Sequence, residues 1–364
     1  MVSSRVEKVL QRGLDAGVDA LFVWSQPNVA YLTGFTGSSG YVFVSRRGTI
    51  LLTDSRYSVQ APLEAAESDV RVMSGRGYRP GGEAFNRALA GMVKETGARV
   101  VGLESDRVVI GELLALQAAG LGVEFKPLAG LVEAVRMVKE PQELTRLRAA
   151  AALADEAFAH IVDFIRPGVA ETAVALELEV FMRQRGASGT AFDTIVASGE
   201  RSAMPHGTAS SRPIGKGEFV VLDFGAVLDG YRSDMTRTVC VGVPTARMRD
   251  LYAVVYDAHG QGAATVQDGV AAAAVDDAAR SVIAAAGHGG AFGHALGHGL
   301  GLETHEGPRL APDSRDVLQE GMVVTIEPGV YLEGFAGVRI EDAVIVSADG
   351  CESIARSGKE LITL

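Results

Sequence analysis

Cysteine is nearly missing from this 364-residue chain, which has only Cys240 and Cys351. Two are too few for a disulfide framework, and they lack the clustered spacing of a thiolate metal site. Both read as small buried hydrophobes. Positive charge is also short: Lys and Arg number 34 against 45 Asp and Glu, a net charge of −11. That balance argues against nucleic acid or an anionic membrane as the main partner. Long apolar runs are absent too. The Ala-rich stretch Val270 to Gly287 is interrupted by Asp276, Asp277 and Arg280, and the first residues, Met1 to Lys8, put charges where a secretory signal needs an apolar core. A cytoplasmic protein is therefore expected. His-Glu-x-x-His, a nucleophile elbow and a cysteine-based zinc site are also missing, which removes three common hydrolytic mechanisms.

Hydrophobic residues make up 47% of the chain, enough for a sizeable core. Single cores stop growing near roughly 250–300 residues, so two domains are expected. The first third alternates helical and strand signals, as an α/β domain does. Val6, Leu10 and Leu14 recur at helical spacing, and Ala20 to Trp24 reads as a buried strand. Tyr41 to Val44 and Thr49 to Thr53 flank a turn at Arg46-Arg47-Gly48, with further short apolar runs at Val70 to Met73, Val100 to Leu103 and Val123 to Phe125. Thr33 to Gly40 carries three glycines but lacks the lysine and helix start of a phosphate loop, and reads as a loop near a domain contact.

The pattern changes near residues 132 to 143, which puts the domains at 1–134 and 135–364. Lys139-Glu140-Pro141-Gln142-Glu143 opens a helix with proline early and acids in the first turn. Leu144, Leu147, Ala151, Ala154, Phe158, Ile161 and Ile165 then form one apolar stripe, ended by Arg166-Pro167-Gly168. Later helices are expected over about 170–185, 246–266 and 275–286.

Two segments read as antiparallel hairpins of one plan. Phe219 to Gly225 joins Tyr231 to Val239 through Asp229-Gly230, and Val323 to Gly329 joins Val338 to Val344 through Glu333-Gly334. The likeness suggests an internal pseudo-repeat. Asp223 and Asp234 belong to the first hairpin, Glu327 and Glu341 to the second. A lone carboxylate in an apolar strand is costly without a cation or hydrogen bonds. Four converging carboxylates repel one another, whereas two divalent cations balance their charges. The period of two puts Arg339 on the face of Glu341 and turns Asp342 away, toward an ordinary solvated or salt-bridged role.

A softer ligand is expected from Phe292 to Glu306, which holds His294, His298 and His305. Gly293, Gly297, Gly299 and Gly301 argue against a helix there and suit a backbone that approaches a ligand closely. His206, in Ala203-Met204-Pro205-His206-Gly207, is a fourth candidate, on a loop. His160, His259 and His288 have no partners in the pattern and read as surface or packing residues.

Taken together, Leu222-Asp223-Phe224-Gly225, Ser233-Asp234-Met235-Thr236-Arg237-Thr238, Gly297-His298-Gly299-Leu300-Gly301, Thr325-Ile326-Glu327-Pro328-Gly329 and Arg339-Ile340-Glu341-Asp342 resemble the pita-bread metallopeptidases. Within them the chain is most similar to Xaa-Pro dipeptidases (prolidases) and Xaa-Pro aminopeptidases. Asn28 to Ala61, with Tyr31-Leu32-Thr33-Gly34-Phe35-Thr36-Gly37 and Thr53-Asp54-Ser55-Arg56-Tyr57, resembles their N-terminal domain. The resemblance implies a creatinase-like α/β N-terminal domain with a mixed sheet, followed by an α+β pita-bread domain with a pseudo-twofold antiparallel sheet. It implies a dinuclear site with Asp223, Asp234, His298, Glu327 and Glu341 as ligands, Asp234 and Glu341 bridging. A hydroxide held by both ions would attack the scissile carbonyl, with Glu327 shuttling its proton. His206 and His305 match residues that bind substrate and stabilise the tetrahedral intermediate, and His294 matches one lining the proline pocket. Arg309 resembles a prolidase arginine that grips the proline carboxylate, and Arg339 is counted with the substrate-binding residues.

Four oxygen donors and one imidazole suit Mn²⁺ or Co²⁺, and admit Zn²⁺ or Fe²⁺. The expected activity is hydrolysis of the bond between an N-terminal residue and proline. The alternatives are an aminopeptidase acting on longer Xaa-Pro-Zaa peptides, a non-peptide amidohydrolase of the same fold and a non-catalytic binding protein. Small Xaa-Pro peptides are the expected partners, with no nucleic acid and no membrane, and a homodimer is the expected assembly.

Overall fold

The computed structural model describes residues 2–364, with side chains from Ser4 onward. It comprises two units, one ending at Arg136 and one running from Met137 to Leu364.

The first unit is built on a six-stranded sheet. Its strands are β1 (Ala20–Val23), β2 (Gly40–Ser45), β3 (Gly48–Asp54), β4 (Val70–Gly75), β5 (Val100–Glu104) and β6 (Glu124–Leu128), in the order β4-β3-β2-β1-β5-β6. β1 runs antiparallel to β2 and parallel to β5, so the sheet is mixed, as expected. All four residues of β1 are buried, because a central strand covered on both faces has no polar side to show. The helices are α1 (Val2–Asp15), α2 (Gln26–Thr33), α3 (Gln60–Glu64), α4 (Glu83–Thr96), α5 (Ile110–Ala118) and α6 (Glu133–Arg136). The sequence reading passes over α2, whose apolar spacing is weak. Pro27 near its start and Gly34, left-handed at φ 78°, are the local signals that delimit it.

The second unit opens with α7 (Pro141–Phe164) and α8 (Glu171–Gln184). The Glu140 N–H donates to Oε2 of Glu143 at 3.0 Å, satisfying an amide that the first helical turn leaves free. Leu147, Ala151, Ala154, Phe158 and Ile161, from the expected stripe, are buried. They are followed by β7 (Gly189–Thr190), β8 (Ile195–Ser198), β9 (Glu218–Phe224), β10 (Ala226–Leu228), β11 (Tyr231–Arg232) and β12 (Met235–Val241). Then come α9 (Ala246–Thr265) and α10 (Ala272–Ala285). The last strands are β13 (Gly297–Gly299), β14 (Glu306–Leu310), β15 (Val323–Ile326), β16 (Gly329–Leu332), β17 (Ala336–Arg339), β18 (Asp342–Ser347) and β19 (Gly350–Ser353).

Each expected hairpin is present, but each is split into two ladders. β9 pairs with β12 while β10 pairs with β11, and β15 pairs with β18 while β16 pairs with β17. The breaks have local causes. A Cβ at Gly225 would lie 1.8 Å from the Ser233 carbonyl oxygen, and Pro328 has no N–H for a continuous ladder. The breaks fall beside the four acids, so each hairpin bends where its carboxylates emerge. α7 and α8 pack on the β9–β12 side, with Leu178 and Phe181 against Leu222 and Val239. α9 and α10 pack on the β15–β18 side, with Val255 and Ile283 in one core with Val324 and Val344. The pseudo-repeat is thus one of topology more than of residue identity.

Among the residues given a non-site role, one cysteine departs from its expected burial, while His259 packs in the core and Asp342 is salt-bridged, as expected. Cys240 is buried, but Cys351 is only half-buried because it sits on the terminal strand β19. His259 lies inside the core. Asp342 takes the salt-bridged role expected of it: it is fully buried, and its Oδ1 accepts from Nη2 of Arg237 at 2.7 Å. None of the described helices is long and apolar enough to cross a membrane.

Candidate metal centre

The two bent hairpins and the β13–β14 pair bring the predicted residues to one cavity of about 560 Å³. Asp223, Asp234, His298, Glu327 and Glu341 all line it, as do His206, His294, His305, Arg309 and Arg339. Donor atoms of Asp234, His298 and Glu341 lie within 4.8 Å of one another. Nε2 of His298 is 3.6 Å from Oδ2 of Asp234 and 3.4 Å from Oε1 of Glu327.

Backbone register explains how the acids meet. Asp223 on β9 faces Thr236 on β12 and Ile195 on β8. Thr236 carries the first hairpin to the second: its hydroxyl donates to Oε2 of Glu341 at 2.7 Å, and its carbonyl accepts from the Glu341 N–H at 3.1 Å. β13 lies between β14 and β15, which puts His298 beside the second hairpin. A Cβ at Gly297 would sit 1.9 Å from the Thr325 carbonyl oxygen, so only glycine lets the strand approach. The His298 N–H donates to Oγ1 of Thr325 at 3.0 Å.

The imidazole is prepared to ligate. Nδ1 of His298 is 3.0 Å from the Gly299 carbonyl oxygen. A carbonyl only accepts, so Nδ1 carries the hydrogen and Nε2 presents its lone pair to the acids. Burial pushes the His298 pKa down to about 4, which keeps the ring neutral. The carboxylates shift the other way. Burial, and then the charges of their neighbours, hold Asp234 and Glu341 well above the ordinary carboxylate range, and burial pushes Glu327 up to about 8. One oxygen of Asp223, Oδ1, is buried without a hydrogen-bond partner. An orphaned carboxylate oxygen inside a cluster of hard oxygen donors and one neutral imidazole fits divalent cations.

Tyr331 and Thr236 belong to the site and were missed as functional residues. Arg339 donates from Nη1 to the Tyr331 hydroxyl at 2.8 Å, and from Nη2 to Oδ2 of Asp223. Nδ1 of His294 is 2.8 Å from the Ala295 carbonyl, so Nε2 accepts from the Tyr331 hydroxyl at 3.0 Å. A chain of hydrogen bonds thus runs from His294 through Tyr331 and Arg339 to Asp223. The Thr236 signal was its position two residues after Asp234 on one strand face. Tyr331 had no such signal.

The remaining candidates lie around this cluster. The His305 ring centroid is 4.3 Å from that of His298, and burial lowers its pKa. Arg309 is on strand β14, directly across from His298. Its guanidinium is largely exposed and reaches Asp313 at 3.1 Å. His206 is exposed on the loop after β8. Phe192, Ile195, Pro205 and Ala295 supply an apolar part of the wall. Of the histidines set aside, His160 pairs with Glu177 at 2.6 Å and stacks on Phe181.

Comparison with known proteins gives the cluster a family. Residues 145–348 match metallopeptidase family M24, and residues 5–138 match the Creatinase/Prolidase N-terminal domain. The Xaa-Pro dipeptidase of Pyrococcus horikoshii is 34% identical over 364 residues, covering 100% of this chain and 99% of that one. Among solved structures, the Xaa-Pro dipeptidase from Bacillus anthracis has a TM-score of 0.95 at 41% identity, with 100% of both chains covered. The X-Pro aminopeptidase from Thermotoga maritima MSB8 has a TM-score of 0.89 at 36% identity, covering 97% of this chain and 100% of that one. With the catalytic match spanning its carboxylates and histidines and the N-terminal match preceding it, the chain belongs to metallopeptidase family M24, the pita-bread metallopeptidases.

Proposed function

We propose that the chain is a metal-dependent Xaa-Pro dipeptidase, hydrolysing the bond between an N-terminal residue and proline. The reading rests on one observation: the Asp234–His298–Glu341 cluster shares its cavity with Asp223, Glu327 and a cationic side chain, Arg309, directly across the ladder from His298. Similar proteins of matching length that carry the dipeptidase name support it.

Asp223, Asp234, His298, Glu327 and Glu341 would hold two divalent ions, Mn²⁺ first among the candidates. Such ions supply an electrophile for the scissile carbonyl and a water ionised near neutral pH. Glu327 would accept the proton of the attacking water and pass it to the proline nitrogen as the C–N bond breaks. His305, kept neutral by burial, and His206 donate N–H groups to the carbonyl oxygen as it gains charge. His294, fixed by Tyr331, and the apolar wall seat the proline ring. Arg309 binds the free carboxylate of a dipeptide.

A second reading, Xaa-Pro aminopeptidase, is favoured by the exposure of Arg309, which leaves room for a further residue, and by the likeness to the Thermotoga maritima enzyme. Hydrolysis of Xaa-Pro against Xaa-Pro-Zaa with Mn²⁺ added separates the two. Cleavage of the dipeptide alone supports the first, and faster cleavage of the tripeptide overturns it.

A further inference from the structure

Glu171, the first residue of α8, is completely buried, yet it touches neither the carboxylate cluster nor the cavity. Both of its oxygens are saturated with donors. Oε1 accepts from the N–H and the hydroxyl of Ser198, each at 2.8 Å. Oε2 accepts from the N–H of Ser210 at 3.0 Å, from its hydroxyl at 2.6 Å and from Nε of Arg201 at 3.1 Å. Buried carboxylates carry a large desolvation cost, and here the donors outweigh it: the pKa of Glu171 lies below the ordinary glutamate value despite burial.

The two serines that it grips are the ends of one loop. Ser198 closes β8, whose Ile195 faces Asp223 across the ladder. Between Ser198 and Ser210 the chain leaves the sheet, makes a short 3₁₀ turn at Gly199–Ala203 and returns through Pro205, His206 and Thr208, which line the cavity. Inside the loop, Nη2 of Arg201 donates to the Thr208 carbonyl at 2.6 Å, so the guanidinium links the buried carboxylate to the returning limb. The far side is tied to the second hairpin. The Gly337 N–H donates to Oγ of Ser202 at 2.8 Å, and Nη1 of Arg339 donates to the Pro205 carbonyl at 3.1 Å.

We propose that Glu171 is a positioning residue for His206: its carboxylate closes the neck of the Ser198–Ser210 loop and so fixes how far that loop projects into the cavity. The inference rests on the reading of His206 as a substrate-binding residue. Glu171 acts through the loop and contacts no substrate. A neutral amide of the same size cannot serve, since one of its two ends would present hydrogens to groups that are themselves donors.

The test is a double-mutant cycle with a structural readout beside it. Glu171→Gln should lower kcat/KM for an Xaa-Pro dipeptide by about 10- to 100-fold, the range expected when a reacting group is displaced by about an ångström. Metal content should stay at the wild-type level, and amide hydrogen exchange should speed up within residues 199–209. In a His206→Ala background the same substitution should cost less than about threefold, because the group it positions is gone. Equal losses in both backgrounds would make Glu171 a scaffold residue only and overturn the proposal, as would wild-type kinetics in Glu171→Gln. If Glu171→Gln does not fold, Ser210→Ala removes one donor and should show the same pattern at smaller amplitude. If His206→Ala itself keeps full activity, the reading of His206 fails; unchanged exchange in the loop of Glu171→Gln is the separate result that removes the clamp.

Discussion

Arg339 donates to Asp223 across the two hairpins: its Nη2 lies 2.5 Å from Oδ2 of the acid, and both side chains are nearly buried. Nε reaches the Thr236 hydroxyl at 3.1 Å, and Nη1 is shared between Tyr331 and the Pro205 carbonyl. One guanidinium therefore orients an acid of the cluster, a threonine that serves Glu341, the tyrosine that fixes His294 and the loop that carries His206. Were all four carboxylates ionised, they would exceed this one cation by three charges, an excess that divalent ions would neutralise.

Replacing Arg339 with Lys keeps the charge and loses the fork. An ammonium cannot serve these directions at once, and substitutions in the layer behind metal ligands typically cost 10- to 100-fold. Activity or metal affinity of Arg339→Lys should fall by about that range. A metal titration alongside steady-state kinetics checks it, and wild-type values in both would show that Arg339 has no part in orienting the ligands.

Metal removal should abolish hydrolysis, and Mn²⁺ or Co²⁺ should restore it. His298→Ala loses a donor whose lone pair faces the acids, so its metal content should drop. His305→Ala should keep its metal and lose turnover. Elemental analysis of both proteins distinguishes them, and equal depletion would contradict the assigned roles.

Arg309→Ala addresses the choice of substrate. A charge-assisted hydrogen bond to a carboxylate is worth roughly 1.5–3 kcal/mol, or about 10- to 150-fold, when partly dry. Arg309 is solvated and already paired with Asp313, so the lower end is expected: about tenfold in kcat/KM for Xaa-Pro. Xaa-Pro-Zaa should be nearly unaffected. Comparable losses on both would mean that the residue steadies β14 and its neighbour His305.

Stability should also depend on pH through His259. Burial pushes its pKa down to about 4 from 6.5, although Asp342, 3.9 Å away, opposes the shift. The unfolded chain binds the proton more tightly, so the contribution is complete above pH 6.5 and is lost as pH falls from there toward 4. Linkage puts the loss at up to about 3 kcal/mol. Urea unfolding of wild type and His259→Leu at several pH values tests this; parallel pH profiles would assign the acid sensitivity elsewhere.

The strands of the first sheet and the stripe of α7 could be read from the sequence because burial imposes periods of two and 3.6 on apolar residues. The four acids were legible for the opposite reason, as charges interrupting runs such as Val220-Val221-Leu222. The breaks after β9 and β15 were not, since they come from carbonyl crowding at Gly225 and a missing N–H at Pro328, and neither changes the hydropathy pattern. Tyr331 was hidden because a tyrosine in a strand reads as ordinary packing. Glu171 was hidden at a helix start, where an acid is commonplace, and its partners come from residues 27 to 39 positions away.

The split hairpins also bear on how the chain acquires its activity. Each contributes two of the acids, Thr236 of the first serves Glu341 of the second, and Arg339 of the second serves Asp223 of the first. Neither hairpin alone carries all four acids, so the cluster exists only where the two are docked. Protein groups alone therefore close the centre, through the Thr236–Glu341 and Arg339–Asp223 bonds, and any cation held there would add its binding free energy to the docked state.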